Sequence, residues 1–156
     1  GPLFFFQERL GKEGRRFLII KFRTMTHKDR VADREIKKGD PEVTKVGYWL
    51  RRFKIDEVVQ VFNVLKGDMS IVGPRPALPN QIERFDENGL QRLKVRPGLT
   101  GLAQVNGNIY LSWPERWIYD RYYVDHLSFT LDMKIIIKTF LILIYGEDKF
   151  LKRPHA

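Results

Sequence analysis

The segment Gly73-Pro74-Arg75-Pro76 restricts the backbone of this chain more than any other stretch of its sequence. Each proline fixes its own φ angle and pushes the residue before it out of the α region, so the four residues form a stiff, extended strut. Arg75 therefore has little backbone freedom left to lose on binding. A guanidinium held in this way suits bidentate capture of a phosphate or carboxylate, although a strand-ending turn with a solvated arginine fits the same residues.

Composition narrows the classes of partner and of chemistry. The 156 residues carry 28 Lys and Arg against 19 Asp and Glu, a formal charge of +9, which favours phosphorylated small molecules, nucleic acid or an anionic membrane surface. The chain has no cysteine, which excludes disulfides, thiol nucleophiles and thiolate metal sites. No apolar run reaches the roughly 18 residues of a transmembrane helix, and the three histidines form no spaced metal motif.

The hydrophobic patterns predict a mixed α/β (α+β) fold in a single domain over residues 1–156, with a core over 2–145 and a C-terminal tail over 146–156. The predicted elements are a β-hairpin of 3–9 and 15–22, a short helix and loop over 24–42, helices over 46–53 and 56–65, a buried strand over 70–72, a polar helix over 80–93 broken near 88–89, a strand and loop stretch over 95–107, and helices over 113–126 and 128–145. The last helix is apolar around most of its circumference, which suits either a core or a bilayer interface, and the core is the commoner place for it.

Asp56 and Glu57 open the predicted helix over 56–65, where acidic residues are favoured for capping and dipole reasons without any chemistry. Basic residues just upstream and a second acidic position, Asp68, nevertheless fit a reactive site. A carboxylate at a positive helix terminus beside arginines stays ionised and can serve as a nucleophile or as a ligand for Mg²⁺. Adjacent helical residues point about 100° apart, so the two acids are not expected to share one task.

The same predicted helix carries two stripes of opposite character. Its apolar stripe consists of Val58, Val61, Phe62 and Leu65, and its polar stripe consists of Asp56, Gln60 and Asn63.

Phosphate binding would have to come from arginine and lysine, because neither a G-x-x-x-x-G-K-[ST] loop nor a G-x-G-x-x-G turn is present. Arg96, like Arg75, stands directly before a proline, here Pro97. Gln104 and Asn106 add amide donors and acceptors shortly after it. These three residues could bracket a uracil, a ribose or a sugar. A plain structural loop fits the residue types equally well.

Several long motifs occur in a fixed order over about residues 3–145. They are Phe4-Phe5-Phe6-Gln7-Glu8-Arg9-Leu10-Gly11, Lys21-Phe22-Arg23-Thr24-Met25, Asp56-Glu57, the run from Asn63 to Pro76, Arg96-Pro97-Gly98-Leu99-Thr100-Gly101 and Gln104-Val105-Asn106-Gly107. In this order they resemble the bacterial sugar transferases. More narrowly, they resemble the monotopic phosphoglycosyl transferases that begin O-antigen, capsule, exopolysaccharide and glycoprotein-glycan assembly.

The resemblance implies a specific reaction. In that family an aspartate corresponding to Asp56 attacks the β-phosphate of a UDP-sugar with Mg²⁺ as cofactor, expelling UMP and leaving a phosphosugar–aspartate intermediate. Polyprenyl phosphate, usually undecaprenyl phosphate, then takes the phosphosugar. Glu57 matches the partner acid, with a role in positioning or proton transfer. The remaining matches are Lys21, Arg51 and Arg75, expected to bind substrate phosphate, and Asp132, expected in a metal or polar-network role beside Asp56.

The resemblance also implies a place at the cytoplasmic face of a bacterial inner membrane. Family members carry a hydrophobic re-entrant helix ahead of the segment that matches residues 1–4, so we expect this chain to be a catalytic domain lacking its anchor. It would touch an anionic membrane face through basic and apolar surface, and a homodimer is compatible with this arrangement. Val59 stands where the family commonly has proline, and Asn108 where arginine often follows, so nucleotide or sugar contacts near Asn108 depart from the pattern.

Two other classes of protein remain open at this point. A non-catalytic basic module binding anionic lipid or nucleic acid would explain the charge of +9, although no nucleic-acid-binding motif is present and the family resemblance predicts no nucleic acid partner. A Mg²⁺-dependent phosphatase or nucleotidyltransferase would share the logic of the site but lacks its own motifs.

Overall fold

The structure is a computed structural model that describes residues 2–25, 42–52 and 54–146. Its main elements are β1 (Phe4–Leu10), β2 (Arg16–Phe22), α1 (Lys45–Arg52), α2 (Ile55–Val58), α3 (Val61–Lys66), β3 (Ser70–Val72), α4 (Glu87–Gln91), β4 (Gly98–Thr100), α5 (Leu102–Val105), α6 (Trp113–Asp125) and α7 (Phe129–Tyr145). The predicted mixed α/β class is confirmed. Most of the helix and loop predicted over 24–42, and the tail beyond 146, lie outside the described residues.

The predicted N-terminal hairpin is confirmed. Strands β1 and β2 pair antiparallel, from Phe4 opposite Phe22 to Leu10 opposite Arg16. The turn between them closes with a 2.7 Å hydrogen bond from the Gly11 amide to the Arg15 carbonyl. Much of the hairpin is exposed, but Leu10 and Ile19 are buried and attach it to the rest of the molecule.

The second sheet is small and fixes the start of the strut. Strands β3 and β4 run parallel, with Ser70 opposite Gly98 and Val72 opposite Thr100. A Cβ on Gly73 would lie 2.5 Å from the Arg96 carbonyl oxygen, and one on Gly98 would overlap the Gly73 amide nitrogen. The two backbones can approach this closely because both positions lack a side chain.

The core lies between this sheet and helices α5, α6 and α7. It consists of Val72, Val105, Tyr123, Ile135 and Ile142, with Val95, Leu102, Leu131 and Ile136 packed around it. Helix α7 therefore packs on the core along one side, which is the commoner of the two places considered for it. Phe129, Phe140 and Ile144 on the same helix are exposed. None of the described helices has the length and apolar character needed to cross a membrane.

The prediction of one continuous helix over 56–65 was wrong. The chain forms α2 and then α3, with a turn at Val59 and Gln60 whose hydrogen bonds span three residues instead of four, such as Gln60 amide to Glu57 carbonyl at 3.0 Å. Three of the residues around the break are valines, whose β-branched side chains lower helix propensity.

The two stripes of α2 and α3 are oriented the reverse of what is usual. In a typical surface helix the apolar stripe packs on the core and the polar stripe faces solvent. Asp56, Gln60 and Asn63 are the buried residues, at 9%, 3% and 0% exposure. The four members of the apolar stripe, Val58, Val61, Phe62 and Leu65, are 43% to 77% exposed. Polar groups thus point into the molecule and apolar groups into the surroundings.

Two further boundaries differ from prediction. The polar region predicted over 80–93 is a 3-10 helix Pro79–Arg84 followed by α4, and α4 continues through Asn88 and Gly89 because Asp86 caps it by accepting from the Gly89 amide at 2.7 Å. The stretch over 95–107 contains helix α5 as well as β4. Four residues are too few to show a helical period, so the pattern could not reveal α5.

Asn63 joins α3 to the hairpin, and its removal should be costly. Its side chain donates to the Leu18 carbonyl at 2.8 Å and accepts from the Ile20 amide at 3.3 Å, with no exposure to solvent. Because Asn63→Ala leaves the Leu18 carbonyl and the Ile20 amide without these partners and empties a fully buried site, we expect a loss of about 2 kcal/mol in the free energy of unfolding, measured with urea. The exposed Asn80→Ala should change it by less than about 0.5 kcal/mol, and equal losses would contradict this role.

Candidate functional site

A cleft opens where β2, α2 and the strut meet. The empty space between its walls, including open solvent at the mouth, is about 240 Å³. The cleft is lined by Arg9, Ile19, Lys21, Glu57, Gln60, Arg75, Pro76, Gly98 and Gln104. The three cationic side chains in this lining, Arg9, Lys21 and Arg75, suit a phosphate group.

Glu57 is the centre of charge in the cleft. Its Oε1 accepts from Nζ of Lys21 at 2.7 Å and from Nη2 of Arg75 at 3.2 Å. Burial raises the pKa of Glu57, but the positive charges of Arg75 and Lys21 outweigh burial and hold the pKa well below its usual range. A carboxylate that stays ionised at every physiological pH is a poor proton carrier, so the geometry favours the positioning role.

The burial of Lys21 in the site disfavours the charged form of its side chain. Burial lowers the pKa of Lys21, and the Glu57 carboxylate opposes that shift. The lysine and the glutamate each stabilise the charged form of the other across the gap between β2 and α2.

Arg9 is a residue of the cleft that was not predicted as a site residue. Its Nη1 donates to the Pro76 carbonyl at 3.0 Å and its Nη2 to Gln7 Oε1 at 2.6 Å. Burial lowers the pKa of Arg9 to about 10, helped by the charge of Arg75 and opposed by Glu57, so the guanidinium is charged at neutral pH. Pro76 lies 67 positions along the chain, a separation at which no local pattern can reveal the contact.

Asp56 lies beside this cluster in the first turn of α2, with only 9% of its surface exposed. Burial raises its pKa, the neighbouring Glu57 charge raises it further, and Lys21 and Arg51 oppose the shift. The two adjacent acids thus have different environments, as their divergence on a helix predicts, and Asp56 is the one that is not tied up in an ion pair with Lys21 or Arg75.

Arg51 is held near Asp56 by the docking of α1 on Thr24, two residues beyond the end of β2. Thr44 caps α1 by accepting from the Gly47 amide at 2.9 Å, and Gly47 packs directly on the Thr24 backbone. Arg51 then donates from Nε to Thr24 Oγ1 at 2.8 Å. These contacts hold the guanidinium where its charge acts on the Asp56 carboxylate.

The three residues predicted to contact nucleotide or sugar lie in different places. Gln104 lines the cleft, and its Oε1 is buried without a hydrogen-bond partner among the described residues. Asn106 faces α7 instead, accepting from Lys138 Nζ at 2.6 Å while its amide donates to the Leu102 carbonyl at 2.9 Å. Arg96 is exposed and is not among the residues that line the cleft.

Asp132 lies behind the strut, where its Oδ1 accepts from the Tyr123 hydroxyl at 2.7 Å. The same hydroxyl is 3.3 Å from the Val72 carbonyl. The contact with Tyr123 does not test metal binding at Asp132. The role of Asp132 as a metal ligand therefore stays a prediction.

The site offers Mg²⁺ one carboxylate, that of Asp56. No group of three or more acidic or histidine side chains suited to a metal exists among the described residues. Mg²⁺ in phosphoryl-transfer sites commonly uses one or two carboxylates together with substrate phosphates and water, and does not need a complete protein cage. Asp56 offers such a carboxylate, and a cation beside it would relieve the repulsion from Glu57.

A buried carboxylate next to a cleft that carries Arg9, Lys21 and Arg75 is an arrangement suited to phosphorylated ligands. The chain matches the model of the bacterial sugar transferase family over residues 1–146 and belongs to that family. The family predicted from the ordered motifs is confirmed, and with it the class of enzyme.

Individual relatives cover nearly all of this chain. An uncharacterised sugar transferase of Bacillus subtilis, EpsL, is 42% identical over 94% of this chain and 72% of its own length. An undecaprenyl-phosphate glucose phosphotransferase of Komagataeibacter xylinus is 39% identical over 96% of the chain and 31% of its own length. An undecaprenyl-phosphate galactose phosphotransferase of Salmonella typhimurium is 34% identical over 96% and 35%. The chain thus spans about a third of the last two proteins.

Proposed function

We propose that this chain transfers a sugar-1-phosphate from a UDP-sugar to a polyprenyl phosphate through a covalent phosphosugar intermediate on Asp56. The observation that carries the proposal is the buried Asp56 carboxylate beside the cationic cleft built around Glu57. The names of the Komagataeibacter and Salmonella relatives, both undecaprenyl-phosphate sugar phosphotransferases, support the same acceptor and type of group.

The first half-reaction breaks the phosphoanhydride bond of the donor. A carboxylate oxygen of Asp56 attacks the β-phosphorus, the bond from that phosphorus to the bridging oxygen breaks, and UMP leaves with the bridging oxygen. In the second half-reaction a phosphate oxygen of the lipid attacks the same phosphorus, and the Asp56 carboxylate is released. The covalent step divides one difficult displacement between two anions into two easier ones.

The cations of the cleft answer the main electrostatic difficulty, which is that every reacting group is negative. Arg75, with 47% of its side chain exposed and one edge on Glu57, is placed to bind the transferring phosphate. Lys21 and Arg9 make the electrostatic potential behind it more positive, which offsets the repulsion between the anions. Mg²⁺ would supply further charge stabilisation on the diphosphate, with Asp56 as the protein ligand and Asp132 as a second candidate.

A lipid acceptor requires access to a membrane, and the exposed apolar stripe of α2 and α3 supports such contact. The stripe lies on the same two short helices whose other side carries Asp56, and the exposed Arg52 and Lys66 flank it. Apolar side chains next to basic ones bind the interface of an anionic bilayer. We propose that the protein acts at the cytoplasmic face of the bacterial inner membrane, which this stripe and the family resemblance support.

Leu65→Ser tests the membrane contact. Leu65 is 77% exposed, so its loss should leave stability almost unchanged but lower the affinity for vesicles of anionic and zwitterionic phospholipid by about tenfold, since a buried leucine contributes about 1.5–3 kcal/mol. Co-sedimentation with the vesicles measures the affinity. The matched variant Leu90→Ser, at 49% exposure on α4, should bind as the wild type does. Equal binding by all three proteins would contradict contact through this stripe.

The function itself is tested by incubating the protein with Mg²⁺, a panel of UDP-sugars and undecaprenyl phosphate in vesicles. The expected result is UMP release with at least one sugar, in an amount that depends on the lipid. Vesicle binding without UMP release from any donor would instead favour a non-catalytic lipid-binding module.

A further inference from the structure

The main chain on either side of Arg75 is held by two groups that have no part in the proposed chemistry. The Pro74 carbonyl accepts a hydrogen bond from the Gly98 amide at 2.9 Å. The Arg75 carbonyl accepts one from Nη2 of Arg92 at 2.6 Å. These carbonyls belong to the two rigid peptide planes that meet at the Arg75 Cα. Fixing both planes fixes the direction in which the Arg75 side chain leaves the backbone.

Arg92 lies directly after α4, and its side chain is only 5% exposed. Among the described residues, the Arg92 guanidinium donates from Nη2 to the Arg75 carbonyl. The other terminal nitrogen of Arg92, Nη1, is buried without an acceptor there. A charge-assisted bond of 2.6 Å is a strong one. The geometry of Arg92 is therefore determined mainly by the strut.

Asp120 on α6 anchors Arg92 from the other side. Its Oδ2 lies 3.2 Å from Arg92 Nη2, and its side chain is 3% exposed. That oxygen makes no hydrogen bond of good geometry among the described residues, so the pair is held by charge. The Phe85 ring lies 5.4 Å from the guanidinium carbon, and Trp117 packs edge-on against Phe85.

A purely structural role explains this arrangement poorly. A buried ion pair is weak evidence for stability, because well-packed apolar residues often replace such a pair without loss. What an apolar residue cannot supply is a donor for the Arg75 carbonyl. Pro74 and Pro76 have no N–H group with which to join a strand ladder, so the strut is not paired as a regular strand, and the carbonyls of Pro74 and Arg75 accept from Gly98 and Arg92 instead.

We propose that Arg92, anchored by Asp120, is a positioning residue for Arg75. The inference rests on the proposed function, in which Arg75 binds the transferring phosphate. Arg92 touches no substrate in this scheme and acts only through the Arg75 main chain.

A double-mutant cycle tests the coupling. Arg92→Lys keeps the charge opposite Asp120 but loses the planar fork, and it should lower kcat/KM for the UDP-sugar by about tenfold, a loss typical of a misplaced binding group. In an Arg75→Ala background, Arg92→Lys should lower kcat/KM by less than about twofold, because the side chain through which Arg92 acts is absent. Losses that multiply independently in the double variant would overturn the inference.

Two further variants separate positioning from general stability. Ser112→Ala removes the N-cap of α6, which accepts from the Glu115 amide at 3.4 Å, and should lower the unfolding midpoint while leaving kcat/KM unchanged. Asp120→Asn weakens the anchor while keeping Arg92, and it takes the place of Arg92→Lys in the cycle if that variant does not fold. A loss of kcat/KM in Ser112→Ala equal to that in Arg92→Lys would also overturn the inference.

A crystal structure of the Arg92→Lys variant gives a readout that does not depend on activity. We expect the 3.2 Å contact between Arg75 Nη2 and Glu57 Oε1 to be lost, and its retention would contradict the inference. Failure of the proposed function would appear in the wild type, as no UMP release from any donor. The structure of the variant would still decide whether Arg92 positions Arg75.

Discussion

Asp56→Asn is expected to lower lipid-dependent UMP release by at least about a thousandfold, because an amide cannot form the covalent intermediate on which both half-reactions depend. The substitution keeps the size of the side chain and removes a buried carboxylate whose pKa is raised by burial and by Glu57. Folding should therefore be preserved or slightly improved. Steady-state UMP release and urea unfolding measure the two effects.

A single-turnover experiment makes the test of Asp56 more specific. Without lipid, the wild type should release about one equivalent of UMP and gain the mass of a hexose phosphate, whereas Asp56→Asn should do neither. Asp86→Asn is the matched control, because an asparagine at the N-cap of α4 can still accept from the Gly89 amide. Turnover by Asp56→Asn at the wild-type rate would refute the nucleophile.

The pattern of the sequence predicted the elements whose stabilisation is local. The hairpin has strong strand residues on both sides of a glycine-containing turn, and α6 has a capping box between Ser112 and Glu115, so neighbours in sequence decide both. The break between α2 and α3 was missed because a run of polar and apolar positions continues through it at a helical period. The weak helix propensity of the valines favours a break at this point, and the periodicity of a sequence carries no information about helix propensity.

Residue chemistry and the family resemblance named individual candidate residues of the site, but neither could show the contacts between residues that are distant in sequence. Glu57, Lys21 and Arg75 were each predicted from their motifs, and the structure brings them together. Periodicity alone does not say which stripe of α2 and α3 is buried. That orientation follows from Asn63, whose amide bonds to β2 some 43 and 45 positions away turn the polar stripe inward.

Glu57→Gln should reduce the free energy of unfolding at neutral pH by about 3 kcal/mol, because it leaves Lys21 and Arg75 close together without their shared anion. The pKa of Glu57 is held far below its ordinary value of 4.5, with the charges of Arg75 and Lys21 outweighing burial. The folded state therefore binds fewer protons than the unfolded state as the pH falls through 4.5, and the stability that Glu57 contributes declines below that pH.

The pH dependence separates charge from shape at this position. Between pH 7 and pH 5 the difference in unfolding free energy between wild type and Glu57→Gln should be constant, and below about pH 4.5 it should shrink by about 1.4 kcal/mol per pH unit. Glu8→Gln is the control, since Glu8 pairs with Arg16 at 3.1 Å on the exposed face of the hairpin and should contribute less than about 0.5 kcal/mol at any pH. If the difference in unfolding free energy between wild type and Glu57→Gln stayed the same down to pH 3, Glu57 would act through its shape and hydrogen bonds. The account of the cleft as organised by the charge of Glu57 would then be wrong.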